Sequence, residues 1–143
     1  MQTFLPYADY SKSAAVLDRA RLGKQRVEVL QLVRVLAGVT SGWSNHPAAL
    51  MWSGHEAALV QYGLCVCREW RARGYKDNVT ERLEFWRMEY TGRAVKPVWF
   101  GSRRFHVAHR SNLLRKNPAH YRKYWPRLRD DLPYVWPVRK GAQ

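Results

Sequence analysis

Apolar residues in this chain recur at three- and four-residue steps, and no segment alternates convincingly as a strand. That pattern restricts the fold to helices. Val27, Val29, Leu30, Leu32, Val33, Val35 and Leu36 make the second half of one segment strongly apolar. Met51, Ala58, Leu59, Tyr62, Cys65 and Val66 keep to one face of another. Ser11 or Ser13 can cap a first helix from about Lys12 to Leu36, which Gly38 and "TSGWSN" end. His46 and Pro47 open a second helix to about Arg73, with Pro at an early position where its missing N–H costs nothing and Gly74 as C-cap. Asp77, Asn78 or Thr80 caps a third through Tyr90, and a fourth covers Ser102 to Lys116. Pro118 allows one further turn, and after Pro126 the chain reads as an extended aromatic tail. The expectation is an all-α fold, a single compact domain of about four helices over residues 1–143.

A chain of 143 residues can bury a core without staples, and its two cysteines form no disulfide framework. Its charge is the stronger constraint. Lys and Arg number 25 against 11 Asp and Glu, a formal net charge of +14, and the pI is about 10.4. Such an excess calls for a polyanionic partner, with nucleic acid ahead of an anionic membrane surface. No apolar run approaches the ~20 residues needed to span a bilayer. The N-terminal stretch lacks the basic start and apolar core of a signal peptide. A cytoplasmic, nucleoid-associated monomer is expected, bound to double-stranded DNA.

Cys65 and Cys67 point to different helical faces, and the five histidines show no zinc-binding spacing, so neither metal nor cofactor is expected. The cations carry more information. Arg19, Arg21, Lys24 and Arg26 crowd the first helix; Arg103, Arg104, Arg110, Lys116, Arg122 and Lys123 crowd the last third, with His109 among them. Aromatic residues interleave with the second group. Cations grip phosphates while flat rings stack on or wedge between bases. Most of the tryptophans read as core.

The stretch "LDRARLGKQRVE", residues 17–28, sets two acids among these cations. Asp18, Arg21, Gln25 and Glu28 fall roughly along one helical stripe, bordered by Lys24. Gly23 costs ~1 kcal/mol against Ala in a helix interior, so a close approach by another backbone, or a kink, is expected there. The stretch reads as a polar, cationic wall of a site, with one or both acids kept for chemistry.

The chain resembles the pyrimidine-dimer DNA glycosylase family of the phage endonuclease V type. "QRVEVLQLVRVL" is similar to the end of that family's first helix, matching at Arg26 and Val27. "SGHEAALVQYGLCVCREWRARGYKDN" resembles its long central helix, and "NPAHYRKYWP" its aromatic, basic C-terminal segment. A bacterial, glycosylase-like branch, with "MQTFLP", "RLGKQRVE" and "DLPYVWPV", looks closer still. The resemblance implies a helical fold and base removal by an amine, with the chain's N-terminal amine attacking the sugar C1′, a Schiff base following, and a glutamate three residues before the matched arginine in support. This sequence departs from the pattern twice. Gln2 follows Met1, and so large a side chain blocks removal of the methionine, leaving the amine on Met1. Gly23 stands where the family has its glutamate.

The expected function is therefore that of a DNA glycosylase, with an AP-lyase step as its extension, removing a damaged or modified base from a flipped-out nucleotide. Met1 is the expected nucleophile and Lys24 the alternative. Asp18 or Glu28 is expected to stabilise the charge developing on the sugar; Asp18 is favoured because Glu28 lies between Val27 and Val29. The competing expectation is a non-catalytic DNA- or RNA-binding protein on the same scaffold.

Overall fold

A computed structural model describes residues 1–92 and 94–137. Among them lie seven helices and no strand: α1 (Tyr10–Val16), α2 (Arg19–Leu36), α3 (Pro47–Trp52), α4 (Glu56–Ala72), α5 (Thr80–Glu89), α6 (Arg103–Lys116) and α7 (Pro118–Tyr121). The fold is all-α. The last six residues of the expected tail, 138–143, lie outside the described residues. Among the described residues no helix is long and apolar enough to cross a membrane.

Two of the expected helices are each two. The first breaks at Leu17, which is extended, and Asp18 begins α2 as its N-cap. Such a break leaves helix-end groups without partners, and α7 supplies them. His120 Nε2 bonds the Val16 carbonyl at 2.9 Å, and the Tyr121 hydroxyl accepts the Asp18 amide at 3.0 Å. The second breaks after Trp52, because Gly54 takes a φ of +83° that only glycine adopts without strain.

Helix α4 is the centre of the packing, touching α1, α2 and α5. Two glycines allow this closeness. A Cβ on Gly63 would meet Val29 Cγ1 at 2.6 Å and Leu83 Cδ1 at 2.9 Å, and one on Gly23 would meet the Trp70 ring at 2.9 Å. The close neighbour at Gly23 is thus a side-chain ring from α4 and not the backbone that was expected. That ring also carries the Arg26 guanidinium, 4.5 Å from its centroid, and Arg26 pairs at 2.5 Å with Asp77. Asp77 in turn accepts the Val79 and Thr80 amides at the start of α5.

Residues 2–7 form an extended arm with no strand beside it. Their polar backbone is satisfied by side chains. The amides of Gln2, Phe4, Leu5 and Tyr7 donate to Glu28, Gln25, His109 and Ser13. The carbonyls of Gln2, Phe4, Leu5 and Pro6 are bonded by Gln25, Tyr62, His106 and Arg110. The Trp52 indole donates to Thr3 Oγ1 at 3.0 Å. Buried backbone without such partners would cost several kcal/mol, so these side chains determine where the arm can lie. The arm links α2 and α4 on one side to α6 on the other.

Candidate active site

The arm delivers Met1 to a cavity of about 390 Å³. Met1, Gln2 and Phe4 line it from the arm, and Ala20, Arg21, Lys24, Gln25 and Glu28 from α2. Lys116 closes one side from the end of α6, and Tyr134 and Trp136 close another from the tail. Its lining therefore combines the first residue of the chain, one carboxylate, three cations and a group of rings. Such a set can bind an anionic, flat group beside residue 1.

Glu28 is buried at 9% exposure, and its Oε2 accepts the Gln2 amide at 3.1 Å. The carboxylate thus stands one peptide unit from the terminal amine. Its Oε1 lies 3.6 Å from Lys24 Nζ, whose side chain is 77% exposed. Gln25 holds the arm from the next turn, accepting from the Phe4 amide at 2.7 Å and donating to the Gln2 carbonyl at 2.8 Å. Five residues of "LDRARLGKQRVE", namely Ala20, Arg21, Lys24, Gln25 and Glu28, line one side of the cavity.

Asp18, favoured on the sequence, is turned elsewhere. It is 7% exposed and does not line the cavity. Its Oδ1 accepts from the Tyr121 hydroxyl at 2.5 Å, and Arg21 lies 3.3 Å away. Burial would raise its pKa, but the bonds from Tyr121 and Arg21 outweigh that and hold it below the ordinary carboxylate value. Asp18 ties α7 to the start of α2.

The expected DNA-contacting residues divide. Arg19, Arg103, Arg104 and Lys123 are exposed, while Arg21, Lys24 and Lys116 edge the cavity. Three others are engaged inside the protein. Arg26 pairs with Asp77 with only 12% of its side chain exposed, Arg110 donates to the Pro6 carbonyl at 3.1 Å, and Arg122 donates to the Leu128 carbonyl at 2.8 Å. His109 requires a correction: it is fully buried, and its Nδ1 accepts the Leu5 amide at 3.0 Å. Burial, then the neighbouring His106, pushes its pKa down to about 3. His109 stays neutral and holds the arm. Within "NPAHYRKYWP", Tyr121 and Trp125 are buried and stacked on each other at 5.5 Å, while Lys123 and Tyr124 are exposed.

Three residues of the site went unnoticed in the sequence. Gln25 was read only as part of a stripe. Tyr134 and Trp136 belong to a tail with no periodic signal, and only the spacing of rings in "LPYVWP" could have pointed to them. His46 stands near as the N-cap of α3, its Nδ1 accepting the Ala48 amide at 3.0 Å. Its pKa is lowered, first by burial and then by the Met1 ammonium charge, with Glu28 opposing. Among the described residues no cluster of His, Cys, Asp and Glu could hold a metal ion.

A family model described as pyrimidine dimer DNA glycosylase matches residues 1–83, which contain the arm, α2 and α4. No curated protein and no solved structure matches the chain.

Proposed function

Because the chain belongs to the pyrimidine dimer DNA glycosylase family, which matches it over residues 1–83, we propose that it excises the damaged base from double-stranded DNA by attack of the Met1 α-amine on the sugar C1′. The observation that carries this reading is the buried arm. Five side chains from three helices, α2, α4 and α6, fix residues 2–5, and their joint effect is to hold the terminal amine at a cavity beside Glu28. Holding a nucleophile in place can supply many kcal/mol of barrier reduction.

In the proposed reaction the amine's lone pair forms the N–C1′ bond while the glycosidic bond breaks. The base leaves with that bond's electron pair and takes up the proton that the amine releases. Opening of the C1′–O4′ bond, with protonation of O4′, leaves an iminium between Met1 and the sugar. Hydrolysis returns the amine; loss of the 3′ phosphate by β-elimination gives the AP-lyase outcome. Glu28 supplies negative charge opposite the positive charge developing at the sugar and is an acceptor for the amine proton. In this protein it takes the part that the family's glutamate would have at position 23. Arg21, Lys24 and Lys116 hold the phosphates next to the reacting sugar, and Arg19, Arg103, Arg104 and Lys123 grip the flanking backbone.

Borohydride trapping on a duplex with one abasic site tests the reading. A covalent adduct on the N-terminal peptide is expected, and residues added ahead of Met1 should abolish it while leaving DNA affinity nearly intact. Glu28→Gln should lower base excision about 10²-fold, the scale for a positioned acid or base. An adduct on the Lys24 peptide would transfer the role to Lys24. Tight binding with no adduct would mark a DNA-binding scaffold without amine chemistry.

A further inference from the structure

Arg34 does not line the excision cavity. It stands between two other cavities on a different side of α2. One, of about 370 Å³, has Val35 and Trp43 in its lining. The other, of about 390 Å³, has Leu30, Val39, Phe85 and Trp86, with Arg82 beside them. Arg34 lines both, so the two make one groove. We propose that this groove binds a short acidic segment of another protein, its carboxylates paired with Arg34 and Arg82 and its apolar side chains seated in the cavities on either side of Arg34.

The walls are apolar yet open. Phe85 is 56% exposed, Val39 53% and Trp43 45%. A partner that covers them recovers the free energy of taking apolar surface from water. The charge is of one sign. The two linings contain two arginines and no Lys, Asp or Glu. Among the described residues neither Arg34 nor Arg82 enters an ion pair. Glu84 of α5 is taken by Arg87 at 2.5 Å. Rings and arginine without lysine or acid are the composition of protein interfaces. A DNA backbone would set its phosphates against Val39 and Phe85, whereas an apolar residue next to each carboxylate matches them. A second copy of this chain is disfavoured by charge, because two-fold pairing would bring four arginines together in a protein already at +14. At 3.6 residues per turn, Leu30 and Arg34 face away from Arg21, Gln25 and Glu28. A segment seated here therefore leaves the excision cavity open.

Panning short random peptides, displayed on phage, against the full chain tests the proposal. The enriched sequences should carry Asp or Glu next to Phe, Trp or Leu. A synthetic, fluorescein-labelled copy of the leading sequence should bind the full chain by anisotropy and weaken as salt is added. Arg34→Gln, Arg82→Gln and Phe85→Ser should each weaken it at least tenfold, the scale of a residue that anchors an interface. Arg82 and Phe85 are exposed, so their variants fold even where Arg34→Gln does not. Affinity for an abasic-site duplex should change less than about threefold in all three variants. Failure to enrich acidic, apolar sequences would overturn the proposal, and so would equal peptide binding by the wild type and all three variants. A tenfold loss of DNA affinity in Arg34→Gln and Arg82→Gln would overturn it in favour of a second DNA surface. Dimerisation of the wild type in sedimentation, abolished by Phe85→Ser, would overturn it in favour of a second copy. None of these outcomes bears on the amine chemistry at Met1, which trapping decides separately.

Discussion

Residues 2–7 and 129–136 both run to the same cavity, yet they are held in opposite ways. The arm is sunk in the core, and side chains from three helices bond its backbone on both sides. The tail lies along α6, held by Ser111, Asn112 and Arg115 at the carbonyls of Arg129, Asp130 and Leu132, with half-exposed rings beyond. The difference suits the part proposed for the arm, since a nucleophile loses its advantage when displaced by about an ångström.

The sharpest way to break this comparison is to cut one bond set at each end. Gln25→Ala strips the Phe4 amide and the Gln2 carbonyl of their partner in a buried place. Two unsatisfied groups at about 1–3 kcal/mol each should lower stability by on the order of 3 kcal/mol. Abasic-site trapping should fall at least tenfold even at temperatures where the protein stays folded. Ser111→Ala removes two bonds to the tail and should cost about 1–2 kcal/mol, with trapping unchanged. Trapping that falls equally in both variants would mean that the tail, too, positions the amine.

Much of the fold could be read from the sequence, because periodicity is a local property. Helices α5 and α6 appear about where the pattern places them, and α2 and α4 lie inside longer helices that the pattern predicts. The two breaks are absent from that pattern, and the first shows why. It depends on Tyr121, 103 residues away, taking the Asp18 amide. The arm is hidden for the same reason: "MQTFLPY" carries no strand pattern, and its burial follows from partners on three helices. The site was half legible. The helical stripe put Glu28 and Lys24 together, and both line the cavity; the flanking valines point Glu28 to a structural part, and it does accept the Gln2 amide. The bond of Asp18 to Tyr121 is hidden because that partner lies in α7. His109 sits in a run of cations and is buried nonetheless, because α6 turns that face toward Leu5. Charge along a sequence does not say which side of a helix meets solvent.

The arm's dependence on neutral histidines sharpens the comparison further, through pH. His109 has a folded pKa of about 3, below its ordinary 6.5, and His106 is lowered in the same direction by burial. Groups lowered in this way contribute their full stability above pH 6.5. That contribution is lost as the pH falls from about 6.5 toward 3, since the unfolded chain then binds protons that the folded one refuses. Unfolding free energy should fall by up to roughly 1.4 kcal/mol per pH unit for a single such group. His109→Asn, whose Oδ1 can accept the Leu5 amide, should begin less stable at pH 8 and lose less on acidification. Parallel slopes for the two proteins would remove His109 as the source.

A loss of stability without a loss of excision is expected at Asp18. It lies between the two ends, joining α7 to the start of α2, and it touches neither the arm nor the cavity. Asp18→Asn keeps a partner for the Tyr121 hydroxyl but removes the charge facing Arg21. The loss of one charge-assisted bond should cost about 1–3 kcal/mol, a fall in melting temperature of roughly 3–10 °C for a chain of this size. Excision and trapping should stay within about twofold. Acid separates this group from the histidines. The carboxylate is held below its ordinary value of 3.8, so its contribution is present at every pH above that value and is lost only below it. At pH 5 the gap between wild type and Asp18→Asn should therefore be undiminished, while the histidine contribution has already begun to fall. A variant that melts normally but excises a hundredfold more slowly would show the opposite: that Asp18 leaves Tyr121 when DNA binds and joins Glu28 at the sugar.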